Sequence, residues 1–97
     1  MIDARPNRGK HIQLEAAVKT VVSGPGNQVH LWLRVNGKDA ESSFFEADLD
    51  HPITTNRWRY FRIRGGVDQN AEAIEYGLAL IGAGQAFLDD VSLRVVP

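Results

Sequence analysis

Two groupings of side chains in this sequence have the residue types of a site. The first lies in VHLWLRVNG, residues 29–37, where His30, Trp32 and Arg34 recur at every second position. In an extended strand that spacing puts all three on one face, because successive side chains point to opposite sides. An indole beside a guanidinium and an imidazole suits a sugar: the apolar ring face stacks on the aromatic while hydroxyls take charge-assisted hydrogen bonds. Glu15, Lys19 and Glu75, at polar positions of neighbouring strands, are expected to flank this platform, with the small Gly77 and Ala79 leaving a groove. The same residues also have a packing reading, in which Trp32 covers the sheet and Arg34 pairs with an acid.

The second grouping is Asp89 and Asp90, set between apolar runs in GLALIGAGQAFLDDVSLRVVP. Two carboxylates there can charge a strand edge, tie a strand to a loop, or hold a cation. By simple alternation Asp89 shares the face of Val91 and Leu93 and is expected to point inward, while Asp90 goes with Ser92 and Arg94 and points outward. A buried carboxylate is costly unless hydrogen-bonded or paired, so Asp89 is expected to accept N–H or hydroxyl donors from a neighbouring strand. The pair is therefore read as structural acids.

Other candidates are weaker. Arg57, Arg59, Arg62 and Arg64 surround Trp58 and Tyr60, a mixture that can follow a phosphate backbone. Those arginines fall on both faces of a strand, however, and the chain's formal net charge is -1. Cross-strand ion pairs explain them better, and no nucleic-acid partner is expected. His11, His30 and His51 stand in separate segments with no metal-ligand spacing. Ser23, Ser42, Ser43 and Ser92 occupy no nucleophile elbow. Asp48, Asp50 and His51 in ADLDHP form an acid–histidine cluster on a loop, and a pair of glycosidase carboxylates is defined only by separation in space. The expectation is a protein that is not an enzyme and holds no metal.

The elements that must position these groups are strands. Ile12, Leu14, Ala16 and Val18 alternate with Gln13, Glu15, Ala17 and Lys19, and Val29, Leu31, Leu33 and Val35 alternate with the His30 face. A turn-rich breaker, VSGPGNQ, separates the two, and Asn36-Gly37 is a turn signal after the second. A short strand is expected around residues 44–47, then a loop holding Pro52. Phe61 and Ile63 then alternate with Tyr60, Arg62 and Arg64 up to Gly65-Gly66, and two further strands close the chain. No window has helical periodicity. Ninety-seven residues make one domain, with residues 1–9 as an extended arm. No segment approaches the roughly 18 apolar residues of a membrane span, and no membrane partner is expected. The absence of cysteine excludes disulfides and thiolate chemistry. The pattern is that of an all-β, antiparallel β-sandwich.

RGKHIQLEAAVKT, VHLWLRVNG and the stretch from NRWRYFRIRGG to AFLDDVSLRVV together resemble the later strands of carbohydrate-binding-module-like jelly rolls, the galactose-binding-like sandwiches. The LWLRV version is similar to accessory domains attached to bacterial helix-turn-helix regulators and to some serine peptidases. The resemblance implies a jelly-roll domain that binds carbohydrate or a similar polar small molecule without catalysis. The alternative is an assembly domain with no small ligand. The resemblance also implies a structural calcium site near Asp89 and Asp90, whose other oxygens come from early strands. Those strands have no counterpart before DARPNRGK, so no cofactor is expected. An incomplete sandwich exposes apolar surface and backbone edges, from which a homo-oligomer is expected, with residues 1–7 crossing between protomers and Ile2 anchoring in the partner.

Overall fold

The computed structural model describes residues 1–24 and 26–97; Pro25, inside the breaker at residues 22–28, lies outside the described residues. Alternation is realised as strands nearly throughout. The strands are β1 (Ile2–Asp3), β2 (His11–Val21), β3 (Gln28–Gly37), β4 (Phe44–Glu46), β5 (Arg59–Gly66), β6 (Ala71–Ile81) and β7 (Gln85–Val96). They form two antiparallel sheets, a four-stranded one ordered β1-β6-β3-β4 and a three-stranded one ordered β5-β2-β7. Consecutive strands mostly change sheet, so β2 and β3, adjacent in sequence, face each other across the core.

That core is the one alternation defines. Ile12, Leu14, Ala16 and Val18 of β2 meet Val29, Leu31, Leu33 and Val35 of β3, with Ile53, Ile63 and Ile74 filling between them, all buried. Removing each large aliphatic side chain from water is worth about 1.5–3 kcal/mol. Gly65 admits the next layer: a Cβ there would lie 2.6 Å from the ring of Phe44, so only glycine lets that ring reach the sheet.

The two sides of the sandwich differ. On the β4–β5 side, the loop at residues 47–58 ties both sheets. Ile53 exchanges backbone hydrogen bonds with Val29, and the carbonyl of Thr55 accepts from the Thr20 amide at 2.8 Å and its hydroxyl at 2.9 Å. On the opposite side, where β1 and β6 face β7, the core-directed side chains are incompletely covered. Tyr76 and Leu80 share faces with buried Leu33 and Val29, yet are 37% and 39% exposed; Val95, opposite buried Ile12, is 49% exposed. Total accessible area is 6062 Å², above the roughly 5,500 Å² expected of a compact monomer of this mass.

Two local expectations are corrected. Asn36-Gly37 is not the turn that closes the strand: β3 runs through Gly37, and the reversal occurs at residues 38–43. There the carboxylate of Asp39 accepts from the Ser42 amide at 3.0 Å and hydroxyl at 2.8 Å, a local bond that competes successfully with a tight turn. Residues 1–9 are not an extended arm either. Ile2 and Asp3 pair with Ile74 and Ala73, the Ala4 amide donates to the Glu72 carbonyl at 3.1 Å, and Arg5–Asn7 form a 3-10 turn around Pro6. Ala4 is fully buried, so the segment docks on β6 of its own chain.

Candidate functional site

The outer face of the four-stranded sheet gathers most of the residues read as a platform. β3 sends His30, Trp32 and Arg34 outward, and the register sets Ala79, Gly77 and Glu75 of β6 opposite them. Trp32 lies across Gly77 so closely that a Cβ on Gly77 would sit 2.7 Å from the indole. The expected groove is therefore occupied, because the glycine serves to let the ring lie down on the sheet. On the other flank Phe45 of β4 stands opposite Arg34, with its ring centroid 6.3 Å from that of Trp32. The Arg34 guanidinium is 5.6 Å from the indole centroid and 5.2 Å from the Phe45 ring, within cation–π range of both. Its Nη1 is 3.9 Å from the Glu75 carboxylate, a loose surface pair worth little in stability. The result is a ledge of two aromatics with a cation and an anion on it. Phe45, 53% exposed, was missing from the sequence reading. Its signal was the Phe44-Phe45 doublet, since adjacent strand residues point to opposite faces and only one could enter the core.

Three of the expected members do not belong to this ledge. His30 has the right parity but is 2% exposed, and both its ring nitrogens are buried without a hydrogen-bond partner. Glu15 is on β2, in the other sheet, whose outer face points the opposite way, and Lys19 goes with it. Alternation assigns a face within a strand; it does not say which strands share a sheet.

The three-stranded sheet has its own outer face. Glu15 stands opposite Arg62 and Gln13 opposite Arg64. The Arg62 Nε donates to Glu15, and the Arg64 Nε donates to Gln13 Oε1 at 2.8 Å. These cross-strand pairs account for two of the four arginines of β5 and its approach. Further along, β7 departs from regular pairing. Ser92 pairs with Glu15, but Asp89 pairs with Ala17, so Ala16 faces two residues and β7 carries a bulge. Asp90 takes the extra position, at φ 49°. The extra residue reverses parity beyond it. Leu88 faces inward beside Val18, and Asp89 faces outward beside Ala17, exposed to solvent. The expectation of an inward, buried Asp89 is thus overturned by one inserted residue. Asp89 accepts from the Asp90 amide at 2.8 Å, and Asp90 accepts the phenol proton of Tyr60. That bond and the adjacent negative charge hold the Tyr60 phenol above its ordinary pKa.

Among the described residues no three histidine or acidic side chains gather as a metal site. In the loop after β4, His51 Nδ1 lies 2.8 Å from Asp48, with both side chains exposed. The hydrogen bond to Asp48 raises the imidazole pKa above its usual value.

No protein-family model matches the chain, and no solved structure does. Over 89 residues it is 32% identical to an uncharacterized HTH-type transcriptional regulator, YbfP, of Bacillus subtilis strain 168. That match takes in 91% of this chain and 30% of the relative, so the chain spans under a third of the regulator's length.

Proposed function

We propose that this sandwich, of jelly-roll type, is a non-catalytic ligand-binding accessory module whose ligand is a carbohydrate or a similar polar small molecule. The observation that supports it is the ledge itself: Trp32 laid flat over Gly77, Phe45 half-exposed beside it, and Arg34 and Glu75 offering a donor and an acceptor at its edge. A sugar ring stacks on such a surface through its C–H face and exchanges hydroxyl bonds with the charged pair. The likeness to a helix-turn-helix regulator fits a module of this kind inside a longer regulatory protein, where occupancy of the ledge would be the signal. A sugar panel followed by thermal shift tests the proposal. A true ligand at 100 times its Kd stabilises the fold by about 2.7 kcal/mol, and Phe45→Ala should abolish that shift while leaving the free domain's melting point nearly unchanged. A panel that moves neither the wild-type melting point nor the Trp32 indole resonance rejects it.

A second reading, an assembly domain that forms a homo-oligomer, is favoured by a separate observation. Core-directed Tyr76, Leu80, Val91 and Val95 are each more than a third exposed along the β6–β7 side. A second copy packed there would remove them from water and cover the free edge of β7.

A further inference from the structure

The bulge on β7 builds a second concavity on the face opposite the ledge. Ala17 forms its floor, Trp58 and Tyr60 one wall, and Asp89 and Asp90 the other, enclosing an open depression of about 500 Å³. Its charge is not balanced from within. Glu15, the next acid on this face, is paired with Arg62. Asp89 and Asp90, by contrast, have no ion-pair partner among the described residues; Lys19, farther along β2 opposite Phe87, is not within 4.0 Å of either. The aromatic wall is equally unspent: Trp58 is 50% and Tyr60 53% exposed, large apolar rings left in water beside two negative charges. The Tyr60 hydroxyl is tied to Asp90, which orients that carboxylate and its own ring together. A neutral sugar would use the rings but leave the doubled charge unanswered, and a metal ion would use the charge but not the rings.

We infer that this depression is a binding site for an organic cation, an alkylammonium or guanidinium group. The rings would take its charge on their faces, and the carboxylates would supply charge-assisted bonds or close Coulombic contact. The parity reversal at Asp90 is what makes the site, since it moves Asp89 from the core-facing register to the wall beside Ala17. The site does not depend on the sugar reading, because it lies on the other sheet and uses none of the ledge residues.

The test is a titration of the whole chain with choline, and in parallel with its uncharged isostere 3,3-dimethylbutan-1-ol, followed by 1H–15N NMR. The two tryptophan indole N–H resonances are read separately, assigned with Trp58→Phe. Choline is expected to shift the Trp58 resonance saturably and leave that of Trp32 in place, with the alcohol at least tenfold weaker. Asp89→Asn, which preserves shape, is expected to weaken choline at least fivefold while the rest of the spectrum stays dispersed. An Nα-acetyl-lysine methylamide arm identifies the source of the cation: tighter binding than choline assigns the site to a partner's side chain, weaker binding to a free small amine. Equal response to choline and the alcohol, no saturable shift at Trp58, or choline affinity unchanged in Asp89→Asn each overturns the inference.

Discussion

Gly77 carries more of the candidate ledge than its size suggests. A methyl group at that position would meet the Trp32 ring at 2.7–2.9 Å, and an indole wedged between Arg34 and a sheet cannot yield cheaply. Gly77→Ala is therefore expected to tip Trp32 off the sheet and cost about 1–3 kcal/mol in urea unfolding. The substitution should remove sugar-induced stabilisation as completely as Phe45→Ala does. Preserved stability with an unshifted Trp32 indole resonance would show that the ring does not rest on residue 77. A second residue-scale expectation concerns His51. Asp48 raises its pKa in the folded protein, so the interaction is fully present at pH values below the unfolded histidine value of about 6.5. It is lost as pH rises through the folded value. Because both side chains are exposed, the consequence is sought in titration. In an NMR pH series the His51 midpoint should fall toward the ordinary value in Asp48→Asn, and no change would mean that the pair does not form in solution.

At the scale of the element, the β7 bulge is the feature with the largest consequence per residue. Its extra residue, Asp90, sits at φ 49°, in the left-handed region, which costs β-branched side chains most and glycine nothing. Asp90→Val is expected to destabilise the domain by about 1–2 kcal/mol. Asp90→Gly should stay within about 0.5 kcal/mol of wild type, with relief of the backbone offsetting the lost Tyr60 bond. If the two variants melt alike, β7 is regular in solution and Asp89 points where simple alternation sends it. The same bulge sets how little Asp89 contributes to stability. Asp89 is exposed on the wall of the depression, so Asp89→Ala strands no buried donor, and a loss below about 0.5 kcal/mol is expected.

For the whole molecule, the two sides of the sandwich differ in how well the core is covered. One side is closed by the loop tied at Ile53 and Thr55, and the other presents Tyr76, Leu80, Val91 and Val95 with the free edge of β7. If a second copy covers that side, sedimentation of the wild-type chain should show a dimer at micromolar concentration. Leu80→Lys, which places a charge on the open face, should shift it to monomer without loss of β-structure. A wild-type chain that sediments as a monomer at every concentration would remove the assembly reading and leave the ligand reading alone.

Period-two alternation determined the strands, their core-facing sides and the all-β class, because with a side-chain period of 2 each residue's face follows from its neighbour's. Burial of Leu14, Val18, Leu31 and Leu33, and outward placement of Trp32 and Arg34, were legible in that way. Sheet membership was not. Glu15 and Trp32 occupy equivalent outward positions on consecutive strands, and only the packing of β2 against β3 shows that their faces look in opposite directions. Phe45 joined Trp32, and Trp58 and Tyr60 joined Asp89, across strand pairings with no local signature. The position of Asp89 turned on a single residue that pairs with nothing, and a bulge is decided by how two strands fit along their whole length, not by the residues at the bulge.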